Sequence, residues 1–214
     1  ELGRPDPAAV RRGMENLEKH LENMWQFQLS PVVAINMFAS DTPEELDVIK
    51  KRCAELGVPA AVADVWGKGG AGAEELAALV AEAAESRKAC GFKPVYEWEW
   101  PVEKKIEAIA SKMYGARHID YMPKAKKDLE KISGLGLDKL PVCIAKTQKS
   151  LSDNPDLIGR PKDFVVTVRE IEIAAGAGFV IPITGDIMRM PGLPEHPASE
   201  NIDIDENGNI TGLF

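Results

Sequence analysis

The chain has 214 residues, of which 44% are hydrophobic and 28% charged, and its formal net charge is −8. A chain of this length and apolar content buries about 70% of its unfolded surface, which excludes a small fold that needs disulfides or a metal for stability. The acidic balance excludes nucleic acid and an anionic membrane surface as main partners, because both select clustered Lys and Arg side chains.

The first third of the chain begins with a helix, a strand and a second helix. Apolar residues spaced by three and four predict a helix over 8–28. A nearly continuous apolar run at 31–36 predicts a strand that is covered on both faces. Thr42 then opens a capping box, Pro43 takes the first helical position, and Gly57 is a natural stop for the second helix.

A second apolar strand is predicted at 59–66, and an Ala- and Leu-rich helix follows a glycine-rich turn at 73–84. Alternating helices and strands with short connections predict a parallel sheet with right-handed crossovers. Ligand groups gather at the carboxyl ends of such strands. Phe38 and Trp66 both lie at these ends.

The composition changes near residue 91, where we predict a boundary between domains 1–90 and 91–214. The elements predicted beyond it are helices at 101–114 and 123–133, strands at 142–145, 164–168 and 179–183, and a hairpin of 202–204 with 210–212. If 96–100 forms a strand, Glu97 and Glu99 share its polar outer face. The predicted fold class is α/β, with parallel strands alternating with helices, followed by a smaller α+β domain.

Cysteines and histidines are scattered along the sequence. Cys53, Cys90 and Cys143 form no C-x-x-C pair, so we predict reduced thiols in the cytoplasm and neither a disulfide framework nor a zinc module. The three histidines are expected to face solvent or to lie in loops, and no metal site is predicted. No apolar run approaches the ~18 residues of a membrane span. The first residues show neither a signal-peptide pattern nor an initiator Met, which predicts that the chain is part of a longer one.

The segment 67–72 matches the pattern G-x-G-x-x-G between a predicted strand and a predicted helix, as a dinucleotide-binding fingerprint requires. The acidic residue expected about 20 residues later is missing, because 87–91 contains Arg, Lys, Ala, Cys and Gly. The same glycines can serve only to let the backbone turn tightly. A phosphate loop of the form G-x-x-x-x-G-K-[ST] is absent from the sequence.

Phe38 and Trp66 admit two interpretations. Two aromatic side chains near each other usually belong to a hydrophobic core. If their strands are neighbours, however, both rings project into one crevice, where a flat heteroaromatic ring could stack on both of them.

Four parts of the sequence, taken in chain order, resemble the formate–tetrahydrofolate ligase family. They are 31–42, 64–70, 140–152, and the ending formed by 184–194 with 210–214. The resemblance covers essentially the whole chain. The family's polypeptide is more than twice as long, and this sequence resembles only its C-terminal part.

The resemblance implies a function on the folate side of an ATP-dependent reaction. The family joins formate to tetrahydrofolate through formyl phosphate, giving N10-formyltetrahydrofolate, ADP and phosphate. Its pterin is held between a Phe of an N-x-F segment and a Trp of a W-x-K-G-G segment. These positions match Phe38 and Trp66, and Val62 matches an apolar residue of the same pocket.

The resemblance also implies cofactors and partners. ATP, Mg²⁺ and a monovalent cation serve the complete enzyme, with the phosphate loop in the missing N-terminal part. The expected partners are the N-terminal part of the enzyme and further copies of the enzyme in a homotetramer. The segment 1–90 is then the end of a P-loop-NTPase-like core or a βαβ domain.

Two alternatives differ from the enzyme segment. One is a non-catalytic module that binds folate or only assembles with partner subunits, and a weaker one is a dinucleotide-dependent oxidoreductase. The loops at 146–152 and 185–194 are rich in motif residues, but no chemistry follows from their sequence.

Overall fold

The structure is a computed structural model, and it describes residues 4–86, 91–185, 187 and 195–212. The helices are α1 (Pro7–Gln26), α2 (Pro43–Glu55), α3 (Val65–Lys68), α4 (Glu74–Ser86), α5 (Val102–Ile109) and α6 (Pro123–Gly134). The strands are β1 (Val33–Asn36), β2 (Ala60–Ala63), β3 (His118–Tyr121), β4 (Val165–Ala174), β5 (Phe179–Thr184), β6 (Asp203–Ile204) and β7 (Ile210–Thr211). This mixed α/β architecture with parallel strands confirms the predicted class. Its finer form, a P-loop-NTPase-like core, stays a prediction.

β1 and β2 form a parallel pair, as predicted, with Val33 opposite Ala60 and Asn36 opposite Ala63. α2 connects them and packs on one face of the pair beside α1. The core between the helices and the strands consists of Leu21, Val33, Ile35, Cys53 and Val58.

The N-termini of α1 and α2 are joined through Glu45. Glu45 and Thr42 form the predicted capping box, because each side chain accepts a hydrogen bond from the other residue's backbone amide. The second carboxylate oxygen of Glu45 accepts a hydrogen bond from the Asp6 amide at 2.8 Å. These hydrogen bonds hold the pKa of Glu45 below its usual range, and the largest contribution comes from the bond donated by the Asp6 amide. Asp6 in turn caps α1 by accepting from the Ala9 amide. The two helices therefore start at the same edge of the sheet.

The prediction that β1 is covered on both faces was wrong. Val33 and Ile35 are buried, but Ala34 and Asn36 are exposed on the opposite face. α4 covers only the β2 half of that face, where Ala61 and Ala63 are buried. An apolar run indicates burial in the complete protein. Among the described residues, however, no element covers the β1 half of this face.

A second sheet has the order β3–β4–β5, with β3 parallel and β5 antiparallel to β4. α5 and α6 supply the rest of its core, which includes Val102, Ile106, Ile132, Phe164 and Val166. β3 was not predicted, because four residues in which polar and apolar side chains alternate are too few to form a recognisable pattern. The predicted strand at 142–145 forms only two isolated bridges, whereas the final hairpin of β6 and β7 is confirmed.

Residues 96–100 form turns and not a strand. The Tyr96 and Trp98 rings meet edge to face with centroids 5.9 Å apart, and Glu99 pairs with Lys139. The shared polar face suggested for Glu97 and Glu99 is thus absent, because the backbone there does not extend.

α1 also contacts the second half of the chain. The side-chain amides of Asn16 and Asn23 donate hydrogen bonds to the carbonyls of Gly159 (2.8 Å) and Met113 (2.9 Å). Arg160 donates to the two carboxylate oxygens of Glu22 with its two terminal guanidinium nitrogens, at 2.8 and 2.7 Å. The two cores lie on either side of residue 91, and the division into two domains there stays a prediction.

Within the described residues, none of the helices combines the length and apolar character that crossing a membrane requires.

Lys105 is a fully buried cation that fixes the loop after α6. Its ammonium donates to the carbonyls of Lys139 (2.8 Å) and Leu140 (3.1 Å) and lies 5.6 Å from the centroid of the Tyr96 ring. Burial lowers the pKa of Lys105. The side chain thus replaces water as the partner of two backbone oxygens.

We predict that Lys105→Met lowers the free energy of unfolding by about 2–3 kcal/mol, because two carbonyls lose their donor. Lys104→Met is the matched control, since Lys104 is exposed and its ammonium lies 5.5 Å from the centroid of the Trp100 ring, and it should cost less than about 1 kcal/mol. Urea denaturation measures both. Equal stability of Lys105→Met and the unsubstituted chain would contradict the anchoring role.

Candidate functional site

The candidate site lies where β1 and β2 end. Because the strands are parallel and in register, their carboxyl ends, at Asn36 and Ala63, meet at one edge of the sheet. Phe38 follows β1 by two residues, and Trp66 follows β2 by three. The topology therefore brings the two predicted residues to the same edge, as the sequence indicated.

A tight turn fixes the backbone at Phe38. The Met37 amide donates to the Ala63 carbonyl at 3.1 Å, which ties the end of β1 to the end of β2. The Phe38 amide donates to a carboxylate oxygen of Asp41 at 2.8 Å, and the Asp41 amide donates back to the Phe38 carbonyl at 3.0 Å. Phe38 is left 64% exposed.

Trp66 lies in a single helical turn and not in the predicted strand. Asp64 caps this turn, α3, by accepting from the Gly67 amide at 3.2 Å, while its other oxygen lies 3.3 Å from the Lys68 ammonium. The Trp66 side chain is 92% exposed. The signal for this turn was in the sequence, because Asp is a strong N-cap residue, but the apolar run obscured it.

The glycine run closes the chain back onto Asp64. The Gly72 carbonyl accepts the Asp64 amide at 3.0 Å, and a Cβ at Gly72 would lie 2.0 Å from the Asp64 carbonyl oxygen. The amides of Gly67, Lys68 and Gly69 all donate to groups of residues 64 and 65. These amides are therefore occupied within the turn, unlike those of a loop that binds a pyrophosphate.

Val62 is half-buried on β2 and packs against the core beneath α1 and α2. Among the described residues, ring contacts join Phe27 with Phe92 and Tyr96 with Trp98, so the Phe38 and Trp66 rings are not in contact with each other. The strand ends are brought together, and the roles of Phe38, Trp66 and Val62 in binding stay predictions.

The loops at 146–152 and 185–194, for which the sequence suggested no chemistry, differ in what the structure describes of them. In the first, the Lys146 ammonium donates to the carbonyls of Thr147 and Ser150 and lies 5.3 Å from the Tyr114 ring centroid. Burial lowers the pKa of Lys146. The loop is therefore held by its own polar groups. Most of the second, 185–194, lies outside the described residues.

Side chains of the types that bind metal ions are dispersed over the described part of the chain. Within the described ranges, no group of three or more His, Cys, Asp and Glu side chains is placed to hold a metal ion. Cys53 is buried, Cys143 is exposed, and Cys90 falls outside these ranges. All three histidines are exposed, as predicted.

Comparison with known proteins identifies the family. The model of the formate–tetrahydrofolate ligase family matches residues 1–214. The chain belongs to this family. It is 52% identical over 213 residues to a formate–tetrahydrofolate ligase of Syntrophus aciditrophicus (strain SB). That match covers 100% of this chain but only 38% of the relative, so the chain spans well under half the length of the enzyme it resembles.

Family membership confirms the resemblance drawn from the four sequence segments and gives the dinucleotide hypothesis no support. The G-x-G-x-x-G match arises from a turn in which Gly72 approaches the Asp64 backbone. The glycine at position 72 thus has a steric explanation that requires no cofactor.

We predict that Gly72→Ala destabilises the protein by about 1–3 kcal/mol, because the new Cβ would overlap the Asp64 carbonyl. Gly70→Ala is the control. A Cβ at Gly70 meets nothing within 4 Å, and the substitution should be neutral or stabilise by up to about 1 kcal/mol. Thermal unfolding of both variants is the measurement, and similar effects of the two substitutions would refute the steric argument.

Proposed function

We propose that this chain is the C-terminal part of an ATP-dependent formate–tetrahydrofolate ligase and that it supplies the aromatic pair that holds the pterin. Phe38 and Trp66 are 64% and 92% exposed at adjoining strand ends, and this observation carries the proposal. Large aromatic side chains in solvent forgo a substantial burial energy, which a flat ligand can restore.

Stacking between a heteroaromatic ring and an aromatic side chain contributes about 1–3 kcal/mol per ring. Two such contacts suffice to orient the acceptor amine of tetrahydrofolate. Orientation is a large part of catalysis, because it replaces an encounter in solution by a fixed geometry. The turn at Phe38 and the capped turn at Trp66 suit this role, since hydrogen bonds hold both backbones before a ligand arrives.

Activation of formate is assigned to the part of the enzyme outside this chain. The sequence lacks the G-x-x-x-x-G-K-[ST] loop, and the described residues offer no cluster of metal ligands. ATP, Mg²⁺ and a monovalent cation therefore belong to the complete enzyme in this proposal. Formyl phosphate would form there and react with the amine positioned by this chain. A cytoplasmic homotetramer remains what the resemblance implies.

The non-catalytic alternative makes the same chain a folate-binding or assembly module. It differs from the first proposal only in what happens when the remaining part of the enzyme is supplied. Formation of formyltetrahydrofolate after that addition supports an enzyme segment, and its absence supports the module.

We expect Trp66→Ala and Phe38→Ala, each in the complete enzyme, to raise the KM for tetrahydrofolate about 5- to 150-fold, as the loss of one stacking contact implies. The KM for ATP should stay within about twofold. Steady-state kinetics with each substrate varied separately provides the test.

Trp98→Ala and Phe92→Ala are matched controls, because both residues are more than half exposed and their rings pack against Tyr96 and Phe27. They should leave the KM for tetrahydrofolate nearly unchanged. Equal rises in the KM values for ATP and tetrahydrofolate in Trp66→Ala would sink the assignment.

The chain alone should bind tetrahydrofolate and quench its tryptophan fluorescence. It contains four tryptophans, so the position of the signal must be tested. Trp66→Phe keeps an aromatic ring but removes the fluorophore, and we expect it to lose most of the quenching while calorimetry still detects binding. ATP or NAD should bind to neither form. Undiminished quenching in Trp66→Phe would place the ligand elsewhere.

A further inference from the structure

The outer edge of β1 offers unpaired backbone groups. The amides of Val33 and Met37 donate toward β2, to the carbonyls of Pro59 (2.8 Å) and Ala63 (3.1 Å). Backbone groups of successive strand residues point to opposite sides, so those of Ala34 and Asn36 point away from β2. Among the described residues, β1 pairs with β2 and with no other strand. We call this side of β1 the free edge.

The face beside the free edge is also open. Ala34 and Asn36 are exposed, whereas Ala61 and Ala63, opposite them in register, are buried. α4 contacts β2, yet none of its own residues is buried, and Val80 is half exposed. Two strands rarely make a stable sheet alone, so this edge and this face are suited to receive a further strand and a covering element.

The position of α1 indicates where that strand lies. α1 and α2 pack on the same face of the sheet, each leading directly into a strand. Because crossovers between parallel strands are right-handed, helices on the same face of a sheet connect their strands in the same direction across the sheet. α2 carries the chain from β1 to β2, so α1 should carry it in the same direction, from a strand at the free edge to β1.

The start of α1 agrees with this placement. The Asp6 amide donates to Glu45, and this contact sets the first turn of α1 beside the first turn of α2. α2 starts where β1 has just ended, at the carboxyl edge of the sheet. α1 thus starts at the same edge, where a parallel strand preceding it would also end.

We propose that the enzyme segment preceding this chain forms a strand parallel to β1 and pairs with its free edge. The chain spans 38% of its relative, so ample polypeptide is available for this strand. The proposal rests on family membership and on the C-terminal position implied by resemblance, and it does not depend on folate binding. It identifies β1 as an interior strand of a larger sheet.

Residue-resolved hydrogen exchange tests the pairing without any ligand. The isolated chain is compared with a hybrid enzyme in which it replaces the matching segment of the Syntrophus aciditrophicus relative. We expect the Ala34 and Asn36 amides to exchange at least about 100-fold more slowly in the hybrid. The Ile35 amide, which faces β2, should be protected in both and serves as the internal reference.

Fast exchange of Ala34 and Asn36 in a hybrid with a protected Ile35 would overturn the proposal. Protection of these amides in the hybrid that rises with its concentration would also overturn it, because a second copy would then occupy the edge. Should the hybrid not fold, the same measurement on the β1 segment of the relative itself decides between these outcomes.

A substitution tests the open face independently. Ala34→Glu should lower the melting temperature of the hybrid by about 2–4 °C or more and leave that of the isolated chain unchanged, because the new carboxylate would be buried only in the hybrid. Ala54→Glu is the matched control at an exposed position of α2 and should be tolerated in both. Equal tolerance of Ala34→Glu in both proteins would argue against a covering element.

Discussion

Hydrogen bonds from the Val33 amide to the Pro59 carbonyl and from the Met37 amide to the Ala63 carbonyl hold β1 and β2 in one parallel register. A parallel pair requires a crossover, and α2 supplies it while burying Cys53 between helix and sheet. With this register both strands end at one edge. A shift by one residue would invert the buried and exposed faces of β1.

In the proposed function, the same arrangement lets this chain hold the pterin, and the activation of formate is left to the rest of the enzyme. Its two exposed aromatic rings follow neighbouring strand ends on backbones held by Asp41 and Asp64. Its glycine run serves that geometry, because Gly72 must lie against the Asp64 carbonyl. In the proposed enzyme, phosphate chemistry comes from the longer polypeptide, whose strand would also complete the sheet at the free edge of β1.

Much of the fold was predictable from local signals. The capping box of Thr42 and Glu45, the helical spacing in α1 and the turn of the final hairpin each depend on neighbouring residues, and all were confirmed. Signals that depend on distant partners failed. β3, for example, becomes a strand because it pairs with β4, which lies much later in the chain.

The sequence by itself determined the alternation of helices and strands in the first third of the chain and the two aromatic residues after the strand ends, since these follow from periodicity. The family followed from the resemblance of four segments. Only the tertiary structure decided that Phe38 and Trp66 are exposed and that one face of β1 is open. The physical reason is that periodicity reports how residues are spaced along the chain, whereas exposure and hydrogen bonding depend on which distant segments arrive to cover them.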